Sequence, residues 1–142
     1  MKVLILGAGM MGRAIAYDLS RFSDFDDIVI GEKDRKTRLS AKRFLQGTGV
    51  KSLVMNAENS SGIKRVLQKG DVVISALPYR YNYRLASLAL QTKTHFIDLG
   101  GNNTIVEKER HLFTKAKKNE VTIIPDSGLA PGLVSIITRD IV

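Results

Sequence analysis

The feature that most restricts the fold of this chain is its opening, where a short apolar run leads directly into closely spaced glycines. Lys2 to Leu6 is apolar after its first residue, and Gly7-Ala8-Gly9-Met10-Met11-Gly12 follows without a break. After this turn, the following apolar residues fall at helical spacing: Met11, Ile15, Leu19 and Phe22. A strand, a glycine turn and an amphipathic helix in this order predict a phosphate-binding turn of an α/β sheet.

Each glycine of this turn has its own physical reason. Gly7 permits a sharp exit from the strand, Gly9 has no Cβ to hold a pyrophosphate away from the main chain, and Gly12 lets the helix lie close to the sheet. A pyrophosphate would rest on the helix N-terminus, where N–H groups and the positive end of the dipole face it. The predicted pyrophosphate-binding residues are Gly7, Ala8, Gly9, Met10, Met11 and Gly12. The alternative is a glycine loop that only packs a helix on a strand.

A second part of the same pattern lies about 20 residues beyond the glycines, where dinucleotide-binding domains carry an acid. Ile28 to Gly31 forms another apolar run, and Glu32 ends it. Glu32 is therefore predicted to accept hydrogen bonds from the adenosine ribose. Its charge disfavours a 2′-phosphate, whereas Lys33 and Arg35 could pair with one. We expect NAD as the cofactor, with NADP as the alternative.

Length and composition limit the remaining choices. A chain of 142 residues with 44% hydrophobic residues fits one domain with its own core. It has no cysteine, its first residues already read as a strand rather than a targeting segment, and no apolar run is long enough to cross a bilayer. We expect a cytoplasmic protein without thiol chemistry or membrane association.

The formal net charge of +8 raises the question of nucleic-acid binding. The basic residues are scattered over several helical segments and are mixed with acids in the last of them, which is typical of solvated helix faces that also attract an anionic cofactor. We predict no nucleic-acid partner and assign no metal site.

The rest of the chain alternates between helical and strand patterns. Helices are predicted from Asp34, as N-cap, to Gln46, from Tyr81 to Gln91, from Asn103 or Thr104 continuously to Lys118, and from about Pro131 onward. The later strands are predicted at Ser52 to Met55, Asp71 to Ala76, His95 to Leu99 and Val121 to Ile124. Six strands joined by right-handed crossovers predict a doubly wound parallel α/β sheet with the strand order 3-2-1-4-5-6.

In such sheets ligands bind outside the carboxyl ends of the strands, where the strand order reverses. Asn56 and Ala57 would lie near the adenine, although Asn56 equally suits an ordinary turn. The nicotinamide is predicted beside Ala76, Leu77, Pro78, Tyr79 and Asp98. His95 begins its strand, away from this crevice, and His111 is predicted to lie in mid-helix, so both are expected to be structural or exposed.

Three polar residues are candidates for contact with the nicotinamide or the substrate: Tyr79, Asn82 and Asp98. Asp126 with Ser127 is the next candidate. Each has an ordinary alternative role. Tyr79 and Asn82 could do no more than shape the loop after Pro78, and Asp126 could do no more than cap or turn the chain before the last helix. The general acid or base is left unassigned.

Four blocks together resemble one enzyme family. They are residues 2–12, Asp71-Val72-Val73-Ile74-Ser75-Ala76-Leu77, Ile97-Asp98-Leu99-Gly100-Gly101 and, most specifically, Ile123-Ile124-Pro125-Asp126-Ser127-Gly128-Leu129-Ala130-Pro131-Gly132. The chain is similar to the saccharopine dehydrogenase family over its whole length, and the lysine 6-dehydrogenases are the nearest likeness within it. The resemblance implies NAD(P)-linked oxidation at a C–N bond of an amino acid such as lysine or saccharopine, with hydride transfer to the nicotinamide.

The resemblance also implies a domain arrangement. Family members continue into a second domain that supplies most of the substrate pocket, so residues 1–130 are expected to form the cofactor domain and residues 131–142 the start of a helix toward the second. The apolar stripe of that helix, Leu133, Ile137 and Ile141, suggests contact with another subunit or with the second domain, and we expect a homo-oligomer. The competing interpretations are a nucleotide-sensing regulatory module without catalysis and, less well supported, a methyltransferase.

Overall fold

Strands and helices alternate along most of the computed structural model, which describes residues 1–141. The strands are Lys2–Leu6 (β1), Asp27–Glu32 (β2), Lys51–Val54 (β3), Val72–Ser75 (β4), His95–Asp98 (β5) and Ile123–Ile124 (β6). The helices are Met10–Phe22 (α1), Arg35–Phe44 (α2), Ser60–Leu67 (α3), Asn82–Thr92 (α4), Asn103–Arg110 (α5), Phe113–Lys118 (α6) and Val134–Ile141 (α7).

The six strands form one parallel sheet with the order β3-β2-β1-β4-β5-β6, which confirms the predicted topology. β1 lies at the centre and pairs with β2 on one side and β4 on the other, so that Val3 stands opposite both Ile28 and Val72. Its four apolar residues, Val3 to Leu6, are each no more than 2% exposed. A strand that is apolar on both faces fits this position because helices cover the sheet on both sides.

Alternate residues of β1 enter two separate hydrophobic cores. Leu4 and Leu6 pack into the core formed with α3, α4 and α6, whereas Val3 and Ile5 pack into the core formed with α1 and α2. Successive side chains of a strand point to opposite faces, so one central strand organises both layers.

The starts of α2 and α5 are set by side-chain caps. The Asp34 carboxylate accepts a hydrogen bond of 2.7 Å from the Thr37 N–H, as predicted. At α5 the cap is Asn102, whose side chain accepts from the Ile105 N–H at 3.1 Å, and the prediction of Asn103 or Thr104 is wrong by one or two residues. The extended backbone of Asn102 suits an N-cap.

The predicted continuous helix to Lys118 is also wrong, because the chain bends between α5 and α6. The Leu112 N–H bonds to the Glu109 carbonyl, three residues back, which tightens the last turn of α5. The bend allows Leu112 and Ala116 to enter the core. His111 therefore lies exposed at the bend and not in mid-helix.

The last helix begins later than predicted. Pro131 falls within an irregular turn, Leu129–Leu133, that precedes α7. The predicted stripe of Leu133, Ile137 and Ile141 is 48%, 48% and 79% exposed. Val142, the end of the predicted helical segment, lies outside the described residues. Within residues 1–141, every helix is too short or too polar to cross a membrane.

Candidate nucleotide-binding site

The glycine turn joins the end of β1 to the start of α1, and its backbone leaves no space for larger residues at two positions. Gly7 has a φ of +96°, which L side chains rarely adopt, and its N–H donates to the Gly31 carbonyl at 2.9 Å. A Cβ on Gly12 would stand 1.8 Å from the Gly7 carbonyl oxygen. The turn can therefore close only when both residues are glycine.

Gly9 differs from these two because the space beside it is open. A Cβ built on Gly9 would have no atom within 4 Å among the described residues. Gly9 is the N-cap of α1, and no side chain within residues 1–141 caps this helix. Met10 and Met11 are 77% and 56% exposed. The N-terminal N–H groups of α1 therefore face an open surface, which is the arrangement that binds phosphate groups.

Glu32, the last residue of β2, is tied to the glycine turn. Its carboxylate accepts hydrogen bonds from three main-chain N–H groups, those of Ala8 at 3.1 Å, Lys33 at 2.8 Å and Asp34 at 2.9 Å. Its position at the carboxyl end of β2, beside the turn, is the one at which Rossmann domains recognise the adenosine ribose.

A cleft of about 280 Å³ opens beside Glu32 and gathers many of the predicted residues. It is lined by Glu32, Lys33, Met55, Asn56, Ala57, Glu58, Leu77, Pro78, Arg80 and Tyr81. Six of these were predicted from the sequence, namely Glu32, Lys33, Asn56, Ala57, Leu77 and Pro78. The cleft lies between the ends of β2 and β3 and the segment after β4, where an adenosine would be expected.

The sequence analysis missed the polar group that closes this cleft. Glu58 accepts a hydrogen bond from the Tyr81 hydroxyl at 2.8 Å and pairs with the Lys33 ammonium at 3.4 Å. These contacts, first that of Tyr81 and then the charge of Lys33, lower the pKa of Glu58. Asn56 accepts from the Glu58 N–H at 3.0 Å, so it does make the turn that was its alternative role. Glu58 has no fixed spacing from the glycines, and no sequence signal would have identified it.

The segment after β4 lies directly against the glycine turn. A Cβ on Gly7 would approach the Ala76 carbonyl oxygen at 3.0 Å and Leu77 Cδ2 at 3.1 Å. Tyr79 lies further along, beside Gly101, and is 45% exposed. The predicted nicotinamide residues Ala76 to Tyr79 thus run from the glycine turn toward the end of β5.

The other two catalytic candidates are buried. Asn82 is 1% exposed and accepts a hydrogen bond of 3.0 Å from the Ser75 hydroxyl. Asp98 is fully buried and accepts hydrogen bonds from the N–H groups of Gly100 at 2.6 Å and Asp126 at 3.3 Å. Asp98 therefore joins the loop after β5 to the loop after β6. Direct contact of either side chain with a ligand stays a prediction.

Glu109 of α5 meets Asp98 inside the domain and was not predicted as a site residue. It is 2% exposed, and burial raises its pKa to about 8, with the Asp98 charge as the next cause. Burial also raises the pKa of Asp98, against the opposing effect of its N–H donors. Helical spacing from the buried Val106, three residues earlier, could have indicated that Glu109 points inward.

His95 has a structural contact, in agreement with the sequence analysis, because its Nδ1 accepts from the Thr122 N–H at 3.0 Å and so links β5 to the segment before β6. A larger and mostly apolar cavity of about 610 Å³ lies at this outer edge, between α6 and β6. Among residues 1–141 its lining includes none of those predicted to bind the cofactor. Size alone therefore does not mark the nucleotide site.

The strand order, the glycine turn on an open helix N-terminus and the acid at the end of β2 define a Rossmann domain that binds a pyridine nucleotide. Residues 3–124 match the sequence model of the saccharopine dehydrogenase NADP binding domain. The chain belongs to this family.

A curated relative is the saccharopine dehydrogenase [NADP(+), L-glutamate-forming] of Saccharomyces cerevisiae, which is 28% identical over 132 residues. This match covers 93% of the present chain and 28% of the relative, so the chain spans little more than a quarter of that enzyme. The family assignment made from the sequence is thereby confirmed. The likeness to lysine 6-dehydrogenases stays a prediction.

Solved structures agree with this assignment. The apo saccharopine dehydrogenase (L-Glu forming) from Saccharomyces cerevisiae superposes with a TM-score of 0.79 and 25% identity over 99% of this chain and 31% of that one. The shikimate dehydrogenase of Mycobacterium tuberculosis superposes with a TM-score of 0.63 at 15% identity, over 88% of this chain and 45% of that one. The second likeness shows only the shared fold.

Proposed function

We propose that this chain is the cofactor domain of an NAD(P)-dependent dehydrogenase that oxidises an amino acid at a C–N bond. The observation that carries the proposal is the open N-terminus of α1 at Gly9, placed beside the Glu32 carboxylate. Pyrophosphate and ribose would bind to adjacent groups there, as a dinucleotide requires. The family match and the yeast relative support the amino-acid class of substrate.

Different groups of residues would hold the two ends of the cofactor. The cleft beside Glu32 would hold the adenosine, and the N-terminus of α1 would hold the pyrophosphate. The nicotinamide, which supplies the hydride acceptor when bound, would lie beyond Ala76 toward Tyr79. The contribution of the protein there is to orient the ring and to exclude water.

Tyr79 is the candidate best placed to contact the nicotinamide or the substrate, because it is 45% exposed whereas Asn82 and Asp98 are buried. We assign Tyr79 a direct contact and the two buried residues a supporting role. Replacement of Tyr79 by Phe keeps the ring and removes the hydroxyl, so a change in turnover would report a role of the hydroxyl alone.

Glu32 favours NAD over NADP, since a 2′-phosphate at this ribose would bring its negative charges against the carboxylate. One of the two cations that could offset this repulsion, Lys33, is paired with Glu58 at 3.4 Å. The alternative is NADP, which the names of the family and of the yeast enzyme favour. NADP binding would require Lys33 and Arg35 to turn toward the phosphate.

Thermal unfolding with each nucleotide tests the site, because a ligand that binds the folded state raises the unfolding temperature. Glu32→Ala should weaken NAD binding by about tenfold through the loss of hydrogen bonds to the ribose. The double substitution Lys33→Ala and Arg35→Ala is the matched control and should leave NAD binding unchanged. A protein that prefers NADP, and loses that preference in the double variant, would contradict the choice of NAD.

Catalysis is tested on a chain that extends beyond residue 142, since the yeast relative is more than three times as long as the matched part. We expect reduction of the nicotinamide that depends on lysine or saccharopine. Nucleotide binding without turnover of either amino acid would favour the regulatory module. The domain boundary at residues 130 and 131, the homo-oligomer and the cytoplasmic location stay predictions.

A further inference from the structure

Two buried carboxyl groups interact inside the domain, that of Asp98 at the end of β5 and that of Glu109 on α5. They are 0% and 2% exposed, respectively. Among the described residues, Asp98 Oδ2 and both carboxyl oxygens of Glu109 are buried without a conventional donor. Two buried carboxylates close together repel each other, and one shared proton removes the repulsion and gives Asp98 Oδ2 a donor.

We propose that Glu109 carries this proton at neutral pH, donates it in a hydrogen bond to Asp98, and so acts as a positioning residue for the loops after β5 and β6. The proposal deepens the proposed function, and rests on it, because these loops border the expected nicotinamide end of the site.

The environment decides which residue holds the proton. Asp98 already accepts from the N–H groups of Gly100 and Asp126, which stabilise its charged form. Glu109 has no such donors, and its pKa is raised to about 8 by burial and by the charges of Asp98 and Asp126. The proton therefore belongs on Glu109, with Asp98 as the acceptor.

The surrounding cations lie on the outside and do not offset this charge. On α5, Lys108 is exposed, and Arg110 lies 3.9 Å from the Glu107 carboxylate. Lys117 of α6 is also exposed. Arg84 of α4 bonds to the Ser60 hydroxyl at 2.9 Å, at the α3 side of that helix. Asp126 is thus the third charged group that acts on the pair.

The Asp98 carboxylate accepts hydrogen bonds from two loops whose backbones have little conformational freedom. Gly100 has a φ of +73° and packs so closely that a Cβ there would stand 1.7 Å from Asp126 Oδ1, while Asp126 itself has a φ of +61°. The Asp98 carbonyl accepts a further bond of 2.8 Å from the Ser127 N–H. Loss of the proton would place a second negative charge under this junction and weaken it.

The two loops also form a surface cavity of about 490 Å³. It is lined by Gly101, Asn102, Asn103, Thr104, Asp126 and Ala130. The candidate Tyr79 borders Gly101 on the side of the glycine turn. Movement of the loops would therefore change the nicotinamide end of the site, while the adenosine cleft beside Glu32 would keep its shape.

Carboxyl NMR and amide hydrogen exchange on the whole chain test this inference without a ligand. The Glu109 carboxyl should titrate near pH 8, and exchange at Gly100 and Ser127, corrected for the intrinsic effect of pH, should rise about tenfold above that pH as the junction opens. Glu109→Gln keeps a donor to Asp98 and has no charge to gain, so its corrected exchange should not change with pH. The amide of Ile5 in β1 serves as the internal control.

Two results would overturn the proposal. One is titration of Glu109 at its ordinary pKa, and the other is the same pH dependence of exchange in Glu109→Gln as in the unmodified protein. If Glu109→Gln does not fold, Asp98→Asn moves the donor to the other partner and should lower the pKa of Glu109 toward its ordinary value. If neither NAD nor NADP binds at pH 7 while Glu109 titrates near pH 8 and Glu109→Gln removes the pH dependence of exchange, the proposed function is contradicted and this inference is not.

Discussion

At each end of the expected cofactor site a carboxylate accepts hydrogen bonds from main-chain N–H groups, but the surroundings of the two carboxylates differ. At the adenosine end, Glu32 holds three main-chain N–H groups at the border of an open cleft. At the other end, Asp98 holds two main-chain N–H groups beneath the loops, with Glu109 beside it. In the first case water or a ligand can replace a bond that the carboxylate gives up. In the second case the Asp98 carboxylate is shielded from solvent, so loss of one of its bonds to the loops costs more free energy.

This contrast teaches that the position of an acid at a strand end does not define its role. Glu32 and Asp98 both end parallel strands on the ligand side of the sheet. Burial separates a group available for recognition from one that shapes the site. Substitutions at the two ends of the site can test whether burial separates these roles.

The largest effects should come from the glycines at each end. Gly12→Ala would place a Cβ 1.8 Å from the Gly7 carbonyl, and Gly100→Ala would place one 1.7 Å from the Asp126 carboxylate. Each should lower the free energy of unfolding by about 3 kcal/mol, as measured by urea denaturation. The control Gly47→Ala has a φ of +79° and open space around it, so it should show only the cost of the backbone, about 1 kcal/mol.

Gly9→Ala extends this comparison to the open part of the turn. Since a Cβ there has room, the unfolding free energy should change by less than about 0.5 kcal/mol, while affinity for the dinucleotide should fall at least about tenfold because the methyl group meets the pyrophosphate. Unchanged affinity, measured by calorimetry, would contradict the placement of the pyrophosphate on this turn.

Removal of each carboxylate should separate recognition from structure. Asp98→Ala leaves two partly buried N–H groups and Glu109 without a partner, and should cost about 2 kcal/mol of unfolding free energy. Glu32→Ala frees N–H groups that water can reach and should cost less than about 1 kcal/mol. The nucleotide affinity should respond in the reverse order at a temperature where both variants are folded. Equal losses of stability would show that burial does not separate the two residues.

The smallest effects concern the helix caps beside each end. Asn102→Ala removes the cap of α5 and should cost about 1 kcal/mol. Asp34→Ala removes that of α2, and its effect should depend on pH. The Thr37 N–H lowers the pKa of Asp34, so its contribution is present above the unfolded value of 3.8 and is lost as the pH falls through the folded pKa. Thermal scans should show the stabilities of the unmodified protein and Asp34→Ala converging as the pH falls below 3.8. Asp34→Asn, which keeps an acceptor without the charge, serves as the control.

The fold could be predicted because several independent patterns in the sequence indicate it. Apolar runs of strand length, the glycines after β1 and the acid after β2 have fixed positions relative to each other, and the right-handed crossover rule orders the strands. The positions of Glu32 at the end of β2 and of the glycine turn after β1 could be predicted for this reason. The break between α5 and α6 was not, because local helical propensity continues across it and only tertiary packing of Leu112 makes the bend favourable.

The other parts of the site depend on contacts between distant segments. Glu58 meets Lys33 and Tyr81 from 25 and 23 residues away, with no periodic spacing to reveal the contact. Asp98 was identified by its strand end, but its burial under the loop after β6 requires the three-dimensional packing of residues 28 positions apart. The spacing of Glu109 from the buried Val106 could have placed it on the inner face of α5, but its interaction with Asp98 is visible only in the three-dimensional structure.

The central position of β1 has a consequence for biosynthesis. Its first neighbour, β2, lies within the next 27 residues, but its second neighbour, β4, begins only at Val72. During translation one edge of β1 therefore stays unpaired until β4 has left the ribosome. Slow translation or chaperone binding before that point would act on an incomplete sheet. Pairing of β1 with β4 then joins the two mononucleotide-binding halves into one sheet.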